Sequence, residues 1–351
     1  MKKIRLLIID DSALIRALLT EIFNRSPDIE VVGTAADPYI AREKIKQLNP
    51  DVLTLDVEMP RMNGLSFLRN LMRLRPMPVV MISTLTEQGA DITLEALKLG
   101  AVDFVAKPKL DVANALSDYA DEMIAKVKMA AQARPQESTA QKTSTSSARV
   151  FKPQTIGHRA NLSNKCLIAI GASTGGTEAI KRVVETLPDT TPPIIISQHL
   201  PQAFSASFAR HVNEIGAMHA MLALDDQPLI AGNIYIAPGD KHLTILENNR
   251  GFYCRLDDSP PVNRHKPSVE VMFDSVAQTA GDRAIGIMLT GMGADGAAGM
   301  KKMHEAGAFN IVQDEVSSVV WGMPGEAYKI GAADIVLPLD SIADQIMTLT
   351  Q

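Results

Sequence analysis

The sequence predicts an α/β protein with two doubly wound domains, each built on a parallel sheet with helices on both faces. Short apolar runs alternate with amphipathic helical patterns from residue 4 to about residue 128, and the alternation resumes near residue 165. The stretch before residue 165 is rich in Ser, Thr, Gln and Ala and poor in apolar residues, which is typical of linkers. We therefore predict a first domain over residues 1–125, a helix end and flexible linker over 126–164, and a second domain over 165–351.

Length and composition favour a globular protein and disfavour several other classes. A chain of 351 residues with 46% hydrophobic content is long enough for two domains with separate cores. The net charge of −5 disfavours nucleic-acid binding, which needs a basic surface. A disulfide scaffold is not expected, because the only cysteines are Cys254 and Cys166, which we place inside a buried run. No apolar run approaches the roughly 18 residues of a membrane span, so we expect a cytoplasmic protein that is not inserted in a membrane.

Polar side chains follow several strands of the first domain. The predicted strands are 4–10, 29–34, 52–56, 78–83 and 101–107. Ligands of such sheets bind beyond the carboxyl ends of the strands, where the sequence places Asp10, Asp11, Asp56, Ser83 and Lys107. Each residue alone has an ordinary explanation as a helix cap or a solvated loop charge. Three carboxylates in one pocket repel one another, however, and their oxygen ligands favour Mg²⁺ as the neutralising cation.

This domain resembles the receiver domain of two-component response regulators. The resemblance is carried by the acids at the strand ends, by Asp56-Val57-Glu58-Met59-Pro60-Arg61-Met62-Asn63-Gly64, and by Lys107-Pro108. It implies that Asp56 accepts a phosphoryl group and that Asp10, Asp11 and Asp56 bind Mg²⁺. It also implies that Ser83 and Phe104 form the switch pair that responds to phosphorylation, with Lys107 holding phosphoryl oxygens.

The second domain is expected to alternate in the same way, around a less regular middle. Its predicted strands are 166–172, 194–199, 284–290, 309–313 and 334–337, with helices starting at residues 177, 201 and 267 and after the loop 291–296. Pro238-Gly239-Asp240 indicates a hairpin in the middle of the domain.

Ser173 follows the first of these strands, at the centre of a Gly-x-Ser-x-Gly pattern. Small neighbours allow a sharp turn that exposes a serine hydroxyl at the sheet edge, so a nucleophile is one interpretation. The same glycines could simply connect strand to helix, or cradle a phosphate at the helix N-terminus. A base and an acid at neighbouring strand ends would favour the nucleophile.

Candidates for both groups occur at two other strand ends. His199 ends a predicted strand immediately before a helix, and Asp295 lies in the glycine-rich loop after strand 284–290. His265 is a weaker candidate base that could line the site instead. Ser173, His199 and Asp295 would then act as nucleophile, base and acid of a serine hydrolase, with backbone amides stabilising the oxyanion. Their order along the chain differs from that of the α/β-hydrolases, so we reject that fold.

The loop that carries Asp295 also fits a second pattern. Gly291-x-Gly293-x-x-Gly296 follows a strand, opens a helix and precedes Asp314 at the next strand end, which is close to a dinucleotide-binding fingerprint. The pattern falls too near the C-terminus to leave room for two mononucleotide-binding halves. We therefore prefer a hydrolase to a dinucleotide-binding protein.

The whole chain apart from the linker is similar to the CheB family of chemotaxis protein-glutamate methylesterases. The motifs that carry the similarity are Gly171-Ala172-Ser173-Thr174-Gly175-Gly176, Gln198-His199, Ile236-Ala237-Pro238-Gly239-Asp240-Lys241-His242, Pro260-Pro261-Val262-Asn263-Arg264-His265 and Leu289-Thr290-Gly291-Met292-Gly293-x-Asp295-Gly296. The resemblance implies a Rossmann-like catalytic domain with Ser173, His199 and Asp295 as its triad. It also implies that the Met292 amide is an oxyanion donor and that Thr174 and His265 line the site.

The same resemblance implies substrates, partners and cofactors. The expected substrates are glutamyl γ-methyl esters on the cytoplasmic helices of chemoreceptors, which yield glutamate and methanol, together with receptor glutamines that are deamidated. The expected phosphodonor is the chemotaxis histidine kinase CheA. Mg²⁺ is expected at the receiver, and no cofactor at the hydrolase site.

Two other classes are less consistent with the sequence. A non-catalytic binding module would explain the receiver but not three convergent polar residues at strand ends. A DNA-binding output domain would need a helix-turn-helix and a basic face.

Overall fold

The computed structural model describes residues 2–59, 63–84, 86–107, 115–133 and 166–350. The chain divides into two compact units, Met1–Ser138 and Thr139–Gln351. Pro60 to Met62, Pro108 and most of the predicted linker lie outside the described residues. The exact domain boundaries given above stay predictions.

The first unit is a parallel sheet with helices, as predicted. Its strands are β1 (Ile4–Ile9), β2 (Ile29–Ala35), β3 (Val52–Asp56), β4 (Val79–Ser83) and β5 (Asp103–Ala106). Its helices are α1 (Ala13–Asn24), α2 (Pro38–Leu48), α3 (Gly64–Leu74), α4 (Glu87–Lys98) and α5 (Ala115–Ala130). The strand order β2-β1-β3-β4-β5 reverses direction at β1. The carboxyl ends of β1 and β3 therefore flank the crevice where ligands of such folds bind.

The central strands of this sheet are apolar because both of their faces are covered. Every residue of β3 and β4 is buried. The amphipathic helix α1 adds Leu19, Ile22 and Phe23 to the core. Its N-terminus is fixed by Ser12, whose hydroxyl accepts a hydrogen bond from the Ile15 amide at 3.4 Å. This cap holds the short link between β1 and α1 that carries Asp10 and Asp11.

The second unit is built on a seven-stranded sheet and an additional hairpin. Its strands are β6 (Leu167–Ala172), β7 (Ile194–Gln198), β8 (His219–Leu222), β9 (Asn233–Ile236), β10 (His242–Asn248), β11 (Gly251–Asp257), β12 (Ala284–Met288), β13 (Phe309–Gln313) and β14 (Ile335–Leu337). Its helices are α6 (Gly176–Val184), α7 (Gln202–Asn213), α8 (Val269–Thr279), α9 (Ala297–Glu305), α10 (Met323–Lys329) and α11 (Leu339–Thr350), with a 3-10 turn at Gly281–Arg283.

The large sheet is parallel throughout, with the order β14-β13-β12-β6-β7-β9-β8. Strand β6 lies between β7 on one side and β12 on the other, so the chain changes direction across the sheet at β6. The predicted doubly wound fold is confirmed. The carboxyl ends of β6, β7 and β12 meet at this reversal, which is the position where such sheets bind ligands.

Two predictions for the second unit were wrong. The hairpin is formed by β10 and β11 and turns at Asn248 to Gly251, whereas Pro238-Gly239-Asp240 connects β9 to β10. Gly251 has a φ of +116°, a conformation in which glycine carries no side-chain penalty. Cys166 is exposed, because it precedes β6, which begins at Leu167. Cys254, in β11, is buried.

Among the described residues, no helix is both long and apolar enough to cross a membrane.

Candidate active site

The three residues predicted as a triad lie at the carboxyl ends of adjacent strands. Ser173 follows β6, His199 follows β7, and Asp295 lies in the loop between β12 and α9. The pairing of β6 with both β7 and β12 places these strand ends side by side. The structure therefore brings together three polar side chains that are far apart in sequence.

Ser173 occupies a tight turn between β6 and α6. Its amide donates to the Thr290 carbonyl at 3.0 Å, and its carbonyl accepts from the Gly176 amide at 2.8 Å and from Gln198 Nε2 at 2.9 Å. Gly175 caps α6 with a φ of +76°, which favours glycine. These bonds fix the Ser173 backbone, so the position of its hydroxyl is set by the strand and not by a flexible loop.

His199 joins the serine to the acid. Its Nδ1 is 3.1 Å from Ser173 Oγ, and its Nε2 is 2.8 Å from Asp295 Oδ2. An ionised carboxylate can only accept, so Nε2 carries the hydrogen and Nδ1 accepts from the serine hydroxyl. The two nitrogens are used in the reverse sense to that in trypsin-like proteases, where Nε2 faces the serine. The chemical roles are unchanged, since either nitrogen can take the hydroxyl proton.

Asp295 is held by an unusually complete set of donors. Its Oδ1 accepts from Asn263 Nδ2 and from Ser268 Oγ, each at 2.8 Å, and its Oδ2 accepts from the Val269 amide at 2.7 Å. Val269 begins α8, so the carboxylate also interacts with the positive end of a helix dipole. Burial opposes the charged form, but hydrogen bonds from His199, Asn263 and Ser268 lower the pKa of Asp295 to about 2. The acid is therefore ionised at neutral pH and can stabilise an imidazolium.

The other residues predicted for this site lie around the three. The His265 ring stacks on the His199 ring, with centroids 3.7 Å apart and planes inclined by 13°. Thr174 is buried, and its carbonyl accepts from Thr290 Oγ1 at 3.0 Å. Met292 is half-buried and follows Gly291. The Gly291 backbone is so close to Ser173 that a Cβ added to Gly291 would lie only 2.9 Å from Ser173 Cβ. The backbone that carries the Met292 amide is thus close to Ser173, and its role as an oxyanion donor stays a prediction.

Several residues that support the site were missed from the sequence. Asn263 and Ser268 donate to Asp295, Gln198 holds the Ser173 carbonyl, and Thr290 links the serine turn to the loop before α10. Asn263, Gln198 and Thr290 were included in quoted motifs, but without a role. A serine directly before a predicted helix is an N-cap signal. In the structure, however, the Ser268 hydroxyl donates to Asp295, and the Asp295 carboxylate accepts from the helix amides.

The glycine pattern that resembles a dinucleotide fingerprint is used for other contacts. Gly296 caps α9 with a φ of +83°. The acid expected to bind a ribose, Asp314, instead accepts from the Ser317 amide at 2.9 Å and from the Ser317 hydroxyl at 2.5 Å. These contacts support the preference for a hydrolase.

We predict that Asp295→Asn lowers both stability and the esterase activity that the sequence resemblance implies. Each Asp295 oxygen accepts more than one hydrogen bond, so an amide nitrogen in either position faces donors that it cannot satisfy. The free energy of unfolding should fall by about 2–5 kcal/mol, and the esterase rate by at least about 10³-fold. Denaturant unfolding and methanol release measure the two effects. Wild-type stability in this variant would show that Asn263, Ser268 and the Val269 amide do not hold the carboxylate.

In the first unit, three acids and one lysine meet at the carboxyl ends of β1, β3 and β5. One oxygen from each of Asp10, Asp11 and Asp56 lies within 4.8 Å of the others. Lys107 Nζ is 2.8 Å from Asp56 Oδ2 and 3.7 Å from Asp10 Oδ2. A cavity of about 420 Å³ opens beside them, lined among others by Asp11, Glu58 and Lys107. Asp11 and Lys107 therefore face this cavity, whereas Asp10 and Asp56 are buried behind it.

The electrostatics of this cluster fit a hard cation. Burial raises the pKa of Asp56 to about 6, although Lys107 opposes the shift, and burial also raises the pKa of Asp10. Asp10 Oδ2 is buried without a hydrogen-bond partner among the described residues. A buried oxygen without a donor, next to two further carboxylates, is the donor set that Mg²⁺ prefers.

The predicted switch residues are both buried. The Ser83 hydroxyl lies 2.7 Å from Thr93 Oγ1 on α4, and Lys126 Nζ lies 5.2 Å from the centre of the Phe104 ring. A role for Ser83 and Phe104 in switching stays a prediction.

We predict that Asp56→Asn stabilises the first unit at neutral pH. Because the pKa of Asp56 is higher in the folded state than the ordinary 3.8, the folded state binds the proton more tightly, and stability falls as pH rises from about 4 to about 6. Above this window the cost of the ionised carboxylate approaches ~3 kcal/mol. The variant should unfold at higher denaturant than the wild type at pH 7, less so at pH 4.5. Asp56→Asn would contradict this explanation if its gain in stability were the same at pH 4.5 and pH 7. A gain in stability that did not change when Mg²⁺ was added would also contradict it.

Two protein-family models match this chain, one in each of its two units, and relatives match nearly the whole chain. The model described as CheB methylesterase matches residues 168–346, and the model described as response regulator receiver domain matches residues 6–116. Proteins named protein-glutamate methylesterase/protein-glutamine glutaminase from Hydrogenovibrio crunogenus and Xanthomonas euvesicatoria are each 55% identical to this chain. The matches cover 99% of this chain and 99% and 97% of those proteins, respectively. The crystal structure of the Thermotoga maritima CheB methylesterase catalytic domain is 33% identical, with a TM-score of 0.52 over 53% of this chain and 98% of that one.

Proposed function

This chain belongs to the CheB methylesterase family, and from that premise we propose that Ser173, His199 and Asp295 are its catalytic residues. The chain is a protein-glutamate methylesterase and protein-glutamine glutaminase with a receiver domain, and it demethylates and deamidates chemoreceptors in chemotaxis. The observation that carries the residue assignment is the hydrogen-bonded sequence of Ser173 Oγ, His199 and Asp295, with distances of 3.1 and 2.8 Å.

Hydrolysis begins with attack of Ser173 Oγ on the carbonyl carbon of the glutamyl γ-methyl ester. His199 Nδ1 takes the hydroxyl proton, and Asp295 stabilises the resulting imidazolium through the bond at Nε2. The carbonyl oxygen becomes an oxyanion, and we assign the Met292 amide as one of its donors. Collapse of this intermediate breaks the bond to the methoxy oxygen, which takes the proton from His199 and leaves as methanol.

The second half of the reaction regenerates the enzyme. His199 takes a proton from water as the water attacks the acyl group on Ser173. The Ser173 oxygen then leaves with a proton from His199, and the product is a glutamate side chain. Deamidation follows the same course with a glutamine substrate, except that ammonia leaves in the first half. His265, stacked on His199, and Thr174 line the site in this proposal.

The receiver unit controls this chemistry in the proposal. Asp56 attacks the phosphorus of a phosphodonor, for which we propose the chemotaxis histidine kinase CheA, and the bond to the donor breaks. Bound Mg²⁺ would neutralise the acids and the phosphoryl oxygens, with Asp10, Asp11 and Asp56 as its protein ligands. Lys107 holds a phosphoryl oxygen, and Ser83 and Phe104 transmit the change. Because its substrates lie on the cytoplasmic helices of receptors, we propose that the protein works in the cytoplasm.

The test of this function is hydrolysis of methylated receptors. Receptor membranes with radiolabelled methyl esters are incubated with the full chain, and volatile label is counted as methanol. We expect release that depends on the amount of protein and increases with a small phosphodonor and Mg²⁺. Absence of released methanol under both conditions would contradict the proposal.

A further inference from the structure

His242, the first residue of β10, is fully buried and bonds to two different segments of the chain. Its Nδ1 accepts a hydrogen bond from the Ser268 amide at 3.0 Å, and its Nε2 lies 3.1 Å from the Pro260 carbonyl oxygen. A backbone amide can only donate and a carbonyl oxygen can only accept. The ring is therefore neutral, with its hydrogen on Nε2.

Both partners belong to segments that contact the candidate triad. Ser268 donates its hydroxyl to Asp295 Oδ1 at 2.8 Å and directly precedes α8, whose first amide, that of Val269, donates to Asp295 Oδ2. The segment that follows Pro260 carries Asn263, which also donates to Asp295. One buried side chain thus links two segments that hold the same carboxylate.

We propose that His242 is a positioning residue for Asp295 and acts through Ser268. This inference rests on the proposed function of Asp295. By accepting from the Ser268 amide, His242 fixes the start of α8, and with it the Ser268 hydroxyl and the Val269 amide that orient the carboxylate. Asp295 in turn holds the hydrogen of His199 Nε2. Groups that orient metal-ligating side chains typically change activity by 10- to 100-fold when they are lost, and we expect an effect of similar size here.

The two bonds of His242 can be removed separately. In His242→Asn, the amide oxygen takes the place of Nδ1 and can still accept from Ser268, whereas the bond to Pro260 is lost. In His242→Gln, the amide nitrogen takes the place of Nε2 and can still donate to Pro260, whereas the acceptor for Ser268 is lost. The two variants are matched, because each places a buried amide in the same cavity.

The experiment compares the two variants as full chains with radiomethyl-labelled receptor membranes. We expect His242→Asn to keep kcat within about threefold of wild type and His242→Gln to lower kcat by about 10- to 100-fold, with KM changed less than twofold in each. The low-field proton resonance of His199 Nε2 should persist in His242→Asn and shift or broaden in His242→Gln. Equal losses in both variants, or a greater loss in His242→Asn, would overturn the proposal.

Ser268 gives a second test if the His242 variants do not fold. Ser268→Ala removes the hydroxyl bond to Asp295 but keeps the amide, and Ser268→Thr keeps both. We expect about a tenfold lower kcat for the alanine variant and recovery to within about threefold for the threonine variant. An alanine variant with wild-type kcat would overturn the proposal. If wild-type protein releases no methanol, the proposed function fails, and the His199 resonance alone decides the role of His242.

Discussion

Ser173→Ala should lower methanol release by about 10⁴-fold or more while leaving thermal unfolding nearly unchanged. Ser173 is half-buried and its hydroxyl bonds to His199, so loss of the hydroxyl removes the nucleophile but little packing. We expect a change in the free energy of unfolding within ~0.5 kcal/mol. The rate is measured with radiomethyl-labelled receptor membranes and the stability by denaturant unfolding.

Ser197→Ala is a matched control for this variant. Ser197 lies on β7 two residues before His199, and its hydroxyl is buried without a hydrogen-bond partner among the described residues. Removing it should leave activity unchanged and stability equal or higher, because no hydrogen bond is lost. If Ser173→Ala unfolds along with its loss of activity, the serine is a structural residue of the turn and not a nucleophile.

The second large effect is expected at the receiver. Asp56→Asn should keep basal esterase activity but lose its stimulation by a small phosphodonor with Mg²⁺, because the amide cannot form the acyl phosphate. Asp28→Asn is the control: Asp28 is an exposed acid that precedes β2 at the opposite edge of the same sheet, and it pairs with Lys128. The control should respond to the phosphodonor as the wild type does. Equal stimulation of Asp56→Asn and wild type would contradict the assignment of Asp56.

We expect the unphosphorylated receiver to block the esterase, since two units joined in one chain are held at high effective concentration. Phosphorylation at Asp56, as proposed above, would add negative charge that Lys107 and Ser83 could contact, and would reshape the receiver surface near β4 and β5. A fragment beginning near Cys166 should then hydrolyse receptor esters faster than the unphosphorylated full chain. A slower fragment would contradict blocking and indicate a receiver that activates by direct contact.

The juxtaposition of Ser173, His199 and Asp295 could be predicted because all three follow parallel strands. Ser173, His199 and Asp295 each follow an apolar run, and the carboxyl ends of adjacent parallel strands share one edge of the sheet. The acids Asp10 and Asp56 were recognisable for the same reason. The strand pattern therefore predicts where many of the site residues lie, although it does not predict their hydrogen bonds.

The supporting residues could not be predicted in this way, because strand periodicity does not show which side chains bond to which partners. Asn263 reaches Asp295 from a turn in which its φ is +53°, and the path of that turn depends on tertiary contacts. The bond between His242 and Ser268 joins residues 26 positions apart across β10 and the start of α8. The hairpin was misplaced because Pro238-Gly239-Asp240 has a stronger turn composition than the true turn at Asn248 to Gly251.

We expect Ser173 and His199 to act as one catalytic unit, which can be tested by comparing two single variants with the double variant. Methanol release is measured for Ser173→Ala, His199→Ala and the variant with both changes. Residues that act as one unit are non-additive, so the double variant should be little slower than either single variant. Losses that multiply would show that the two residues contribute independently and do not form a catalytic unit.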